Sequence, residues 1–206
     1  MDSARLEAFS DGVFAVAITL LALDLAVAGP GHGTLAHQLA DKWPAFAAYF
    51  ISFLTIGIIW VNHHGIFKNL AEIDRTLLFL NLLLLFFVVS IPFATSTMAT
   101  YVTSGGTDSH LAAAMYMGAY EGMSIAFALI FWWSVRHEHM KVPLSPTDAR
   151  RALARFSLGH IGYITGIGIA FVSAPATLVI SAVVAIYYVF EQTPRRDAAT
   201  DAPGSV

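Results

Sequence analysis

The sequence predicts an all-α membrane protein with six transmembrane helices and both termini in the cytoplasm. Three observations carry that prediction. Only 12% of the 206 residues are charged, about half the roughly 25% usual in soluble domains. Hydrophobic residues make up 57%, gathered in long runs between short polar clusters. Ten of the eleven lysines and arginines fall on one side of the membrane those runs define.

The first span is expected over about residues 9–28, stopped by Gly29-Pro30-Gly31. The second covers about 44–63, the third 76–100 and the fourth 111–135. The fifth covers about 153–173 and the sixth 175–190, with Ser173-Ala174-Pro175 marking a tight antiparallel hairpin between them. Each is near the roughly 20 residues a helix needs to cross hydrocarbon, the sixth being the shortest. Arg5 precedes the first span; Lys68 and Arg75 follow the second. Arg136, Lys141, Arg150, Arg151 and Arg155 follow the fourth, Arg195 and Arg196 the sixth, and only Lys42 lies opposite. The positive-inside rule therefore puts both termini in the cytoplasm, which an even number of spans satisfies. Residues 1–191 read as one transmembrane domain, and the polar tail 192–206 is expected to be disordered. A unit of this size has little room for a water path of its own, so conduction would require an oligomer around a symmetry axis.

Composition also excludes. With no cysteine there is no disulfide, thiolate metal site or cysteine nucleophile. The net charge of −3 points to no nucleic-acid partner. Met-Asp-Ser-Ala-Arg lacks the basic start of a cleaved signal peptide, so the first apolar helix is expected to stay. No nucleophile–base constellation or phosphate-cradling loop occurs, so neither an enzyme nor a cofactor is expected.

At about 100° per residue, Gly12, Thr19, Leu20, Leu23 and Val27 fall within about 60° of Val16 on the first helix. Phe14, Ile18, Leu21, Leu25 and Asp11 lie opposite, and Ala15, Ala22 and Ala26 form a small-residue stripe between them. Two readings stay open. One is a well-packed bundle helix. The other has Val16, Thr19, Leu20 and Leu23 facing an axis, as apolar rings that gate by dewetting beside a hydroxyl ring that replaces ion hydration.

Asp11, on the back of that face, reads as a partner for other helices. Asn62, His63 and His64, after Trp60, lie at a similar depth, and so does Asn81; an Asp–His–Arg–Asn network there would satisfy groups that are costly in lipid. Asp24 is a candidate mouth charge or a solvated helix-end carboxylate. Glu121 is an intramembrane carboxylate, either functional or hydrogen-bonded to Tyr120 or another helix. His137 and His139 are spaced poorly for metal ligation from one helix face, and His160 reads as a packed polar residue. Gly159, Gly162 and Gly166 form a helix-packing seam.

Arg5, Phe9, Ser10, Asp11 and Gly12, followed by Ala-Val-Ala-Ile-Thr-Leu-Leu, resemble the prokaryotic branch of the transmembrane protein 175 family of potassium channels. Trp60-x-Asn62-His63-His64 and Asn81 fit it too. The resemblance implies a homotetramer of six-helix subunits in the plasma membrane, its partners being potassium ions and the lipid bilayer. The first helices line a pore narrowed by apolar residues rather than a carbonyl filter. No Thr-Val-Gly-Tyr-Gly loop occurs in the chain. By the same resemblance Val16 takes the constriction position, where isoleucine or leucine is usual. Thr19 takes the selectivity-linked position, Leu20 and Leu23 further pore positions, and the motif residues tie the first helix to the second and third. The rival class is a proton-coupled secondary transporter using intramembrane Asp, Glu and His. Such proteins more typically break their helices near midplane ligands, and this first helix has no internal proline or post-entry glycine.

Overall fold

The apolar runs coil into helices. The computed structural model describes residues 3–190; the predicted tail 192–206 lies outside the described residues. In chain order the α-helices are α1 (Ser3–Leu20), α2 (Leu35–Asp41), α3 (Trp43–Lys68), α4 (Arg75–Tyr101), α5 (Gly106–Arg136), α6 (Pro146–Ala170) and α7 (Ala174–Phe190). Four of the hydrophobic helices, α1, α3, α4 and α5, are both long and apolar enough to cross a membrane. In α6 the first turns carry Asp148, Arg150, Arg151 and Arg155, and α7 is apolar but only 17 residues long.

Local sequence explains the ends. Asp74 caps α4 by accepting from the Leu77 N–H at 2.7 Å. Ser145 caps α6, accepting from the Asp148 N–H, with Pro146 at the first helical position. At the end of α3, Asn69 Nδ2 donates to the Gly65 carbonyl at 2.7 Å, and Lys141 Nζ reaches the Lys68 carbonyl at 2.7 Å. That places a cation on the negative end of the helix dipole.

Two features depart from the expected pattern. The first helix is α-helical only to Leu20, then tightens into a 3-10 turn over Leu21–Leu25 before Ala26 turns extended. It does not run on to residue 28. Helix ends often tighten in this way, because i→i+3 bonds satisfy terminal carbonyls. The loop beyond holds the short exposed helix α2, which periodicity did not show. Its Gln38 side chain donates to the Gly29 and Gly33 carbonyls and accepts from the Gly29 N–H at 3.0 Å. Gly29, Gly31 and Gly33 all have φ near +90°, so the fold-back needs glycine there.

The core is built around α5, which packs against α4, α6 and α7. Tyr116, Met117, Tyr120, Met123 and Ile130 are fully buried on it. The glycine seam serves this packing: Gly159 and Gly162 face Tyr188 and Val184 of α7, and Gly166 faces Met117 of α5, leaving no room for a Cβ. By contrast α1 packs against α3 and α4 only on one side.

Candidate functional site

Along α1 and into the turn that follows it, Leu6, Ser10, Phe14, Ala17 and Leu21 recur at three- and four-residue steps and are buried. The Ser10 hydroxyl donates to the Leu6 carbonyl at 2.9 Å, so its oxygen is left to accept from Asn81 Nδ2 at 3.0 Å. That fixes the Asn81 amide, whose Oδ1 accepts from His63 Nε2 at 2.8 Å. The His63 ring stacks on Phe67 with centroids 4.1 Å apart and tilts against Phe14 at 5.4 Å. All three polar side chains are within 1% of complete burial. One relay thus joins α1, α4 and α3, and every member is satisfied. Stranding one of these groups would cost about 1–3 kcal/mol.

Asp11 sits beside this relay and accepts from Trp60 Nε1 at 2.8 Å. His64 lies 3.9 Å from Glu7, a partner the sequence did not single out. Four residues assigned to the motif and network are not in it, Phe9 and Gly12 being exposed on the opposite face of α1. Arg5 is exposed and makes no contact with the network among the described residues. Asn62 points instead at a cavity among α3, α5, α6 and α7. The reason is geometric: His63, His64 and Phe67 lie within about 60° of Trp60 around the helix, whereas Asn62 is turned about 160° from it.

The other face of α1 is open. Phe9, Gly12, Val16, Thr19, Leu20 and Leu23 are all exposed in the subunit, Val16 at 54% and Leu23 at 71%. Thr19 Oγ1 donates its proton to the Val16 carbonyl at 2.8 Å. Its lone pairs therefore point outward, the arrangement a cation can use in place of water. Leu23 lies in the 3-10 turn that follows, where a residue advances about 120° rather than 100°, which keeps it on the side of Leu20. The Asp24 side chain lies outside the described residues.

Elsewhere, Ser52 joins Thr95 at 2.8 Å and accepts from Tyr120 at 2.7 Å, a buried polar knot the sequence reading missed. Its available signal was the i, i+4 spacing of Tyr116 and Tyr120. At the α3–α4 and α5–α6 loops, Leu70 and Met140 form an isolated bridge. Asp74 accepts there from Trp133 Nε1 at 2.9 Å and pairs with His139 at 3.3 Å. Partial burial pushes the Asp74 carboxyl up, but hydrogen bonds from the Leu77 N–H, Trp133 and His139 outweigh it and hold the group below the usual carboxylate range. His137 stacks on Trp133 at 3.8 Å. Among the described residues no three metal-binding side chains converge.

The sequence profile of the family described as endosomal/lysosomal potassium channel TMEM175 matches residues 5–92, which take in most of α1, all of α2 and α3, and most of α4. A potassium channel of Streptomyces collinus is 48% identical over 195 residues, covering 94% of each chain. The chain belongs to the TMEM175 family. In that family, the crystal structure of a lysosomal potassium-selective channel TMEM175 homolog from Chamaesiphon minutus superposes with a TM-score of 0.78. It is 32% identical, and the match covers 91% of this chain and 96% of that one. A TMEM175 of Gallus gallus, named an endosomal/lysosomal proton channel, is 40% identical over 99 residues, which are 44% of this chain and 20% of that one. This TMEM175-family chain is a multi-pass membrane protein, and its matched relatives are ion channels rather than enzymes.

Proposed function

We propose that the chain is a potassium-selective channel, passing potassium passively through a pore on the axis of a homotetramer. Each subunit would cross the plasma membrane six times with both termini in the cytoplasm. α7, at about 1.5 Å per residue, reaches about 25 Å, enough for a slightly thinned bilayer. The apolar part of α6 follows Arg155.

The observation that carries the proposal is the division of α1 into a buried, polar-anchored face and an open apolar face with one hydroxyl. Lipid would cover an apolar face equally well. A threonine with its lone pairs aimed outward, mounted by a fully satisfied relay, is better suited to an axis. Val16, Leu20 and Leu23 would then form apolar rings of the constriction, Thr19 the hydroxyl ring, and Asp24 an acidic ring at the mouth. Ser10 and Asp11, with Trp60, His63, His64 and Asn81, would orient the helix, while Phe9 and Gly12 would share its open face. The relatives named potassium channels support the choice of ion.

The test is purified protein in planar bilayers under a potassium gradient. Discrete unitary currents that reverse near the potassium equilibrium potential are expected. Flux that follows a pH gradient without unitary steps would favour the transporter and overturn the proposal.

A further inference from the structure

Asn62, which takes no part in mounting α1, borders a cavity of about 20 Å³ among α3, α5, α6 and α7. Ser124 of α5, Tyr163 of α6 and Tyr188 of α7 are its other polar side chains, and apolar side chains supply the rest of the wall. No charged residue lines it. Glu121, whose Oε1 meets His160 Nδ1 at 3.0 Å, lies outside this lining.

Two of the hydroxyls are unusual. Tyr163 is 3% exposed and Ser124 8%, and neither hydroxyl has a hydrogen-bond partner among the described residues. Yet neither is sealed. Among the described residues, Glu121 Oε2 is the one buried side-chain oxygen or nitrogen that is both unpartnered and closed off. The two hydroxyls therefore open on space that a water-sized guest can enter, and both residues border this cavity. Elsewhere in the helices Ser90, Ser134 and Ser157 each turn their hydroxyl onto the carbonyl four residues back. Ser124 does not. The Tyr188 hydroxyl already donates towards the carbonyls of Arg155 and Phe156, at 3.4 and 3.3 Å.

An unpartnered hydroxyl in an apolar interior is costly. One water removes that cost for several groups at once. It needs roughly 10–15 Å³ and two to four polar partners. The cavity is large enough, and Asn62, Ser124 and Tyr163 are the partners. With no charge in the wall to oppose its own, a desolvated ion would be held far less well than a neutral guest.

We propose that the cavity is a binding site for one ordered water, which bridges the Tyr163 and Ser124 hydroxyls and the Asn62 amide. Asn62 faces away from Trp60 on α3. The bridge therefore ties α3 to α5 and α6 at the level where its other side holds α1. The site does not depend on which ion the pore passes.

Tyr163→Phe and Ser124→Ala, alone and together in the full-length protein, test it, because wet and dry cavities differ in sign. Over a bound water, removing either hydroxyl deletes a hydrogen bond, so each single variant should melt about 2–4 °C below wild type. The double variant should lose clearly less than the sum, since one water serves both groups. In a dry or lipid-filled cavity each hydroxyl is only a desolvation cost, and its removal leaves the melt unchanged or raises it. Either single variant melting at or above wild type, or strictly additive losses, would overturn the proposal. A high-resolution map of the wild type decides without any variant. Ordered density within hydrogen-bonding reach of Tyr163 Oη and Ser124 Oγ supports the site, and a map with none there overturns it.

Discussion

Asn81 donates to Ser10 and accepts from His63, so replacing it with leucine strands the His63 Nε2–H where no water reaches. The expected loss is about 1–3 kcal/mol, read as a fall of several degrees in the melting temperature of the solubilised channel. An unchanged melt would show that the relay does not anchor α1. Thr19 makes the complementary case, since its hydroxyl serves no other helix. Thr19→Val keeps the shape and removes the oxygen. The potassium-to-sodium permeability ratio should fall by about fivefold, equivalent to about 1 kcal/mol, with assembly intact. An unchanged reversal potential would remove the hydroxyl from the selectivity argument. Much at this scale was legible in the sequence. The 100° rule alone separated Asp11 from Val16 and Thr19. Along 60–64 the polar residues form one run in sequence, but the same rule turns Asn62 to the opposite side of the helix from Trp60. Glu121 could be flagged as costly, but its partner His160 is 39 positions away, a pairing that no local pattern encodes.

Between elements, the two loops predicted to lie in the cytoplasm are clasped through Asp74. Its carboxyl caps α4 and also takes the Trp133 and His139 contacts. Because its folded pKa is held below the usual carboxylate value, its contribution is fully present above the unfolded value of about 3.9. It is lost as pH falls through the lower folded value. Asp74→Asn keeps a capping side chain but gives up the charge. The variant should melt below wild type at neutral pH, and the gap should close as pH drops below about 4. A gap that stays constant to low pH would deny the charged carboxyl its role. Helix positions were readable because apolar runs set them. The 3-10 turn and α2 were not, since both depend on backbone contacts such as Gln38 to Gly29, which carry no periodicity.

For the whole molecule, the question is what covers α1. Within the subunit a Cβ built on Gly12 meets nothing within 4 Å, so nothing inside the subunit demands glycine there. A glycine in a helix interior costs about 0.5–1 kcal/mol relative to alanine, and Gly12 shares the open face of Val16 and Leu20. Facing lipid, a larger residue would be tolerated and would raise helix propensity. Facing three copies of itself around an axis, four added side chains would crowd one ring. Gly12→Leu therefore separates the two. Helical content by circular dichroism should be unchanged or slightly higher, while unitary conductance should fall by tenfold or more, or the tetramer should fail to assemble on sizing. Leu23→Ala supplies the converse: trimming an apolar ring should raise conductance without altering stoichiometry. Normal currents and normal assembly in G12L, together with an unmoved conductance in L23A, would turn this face of α1 from the axis to the lipid.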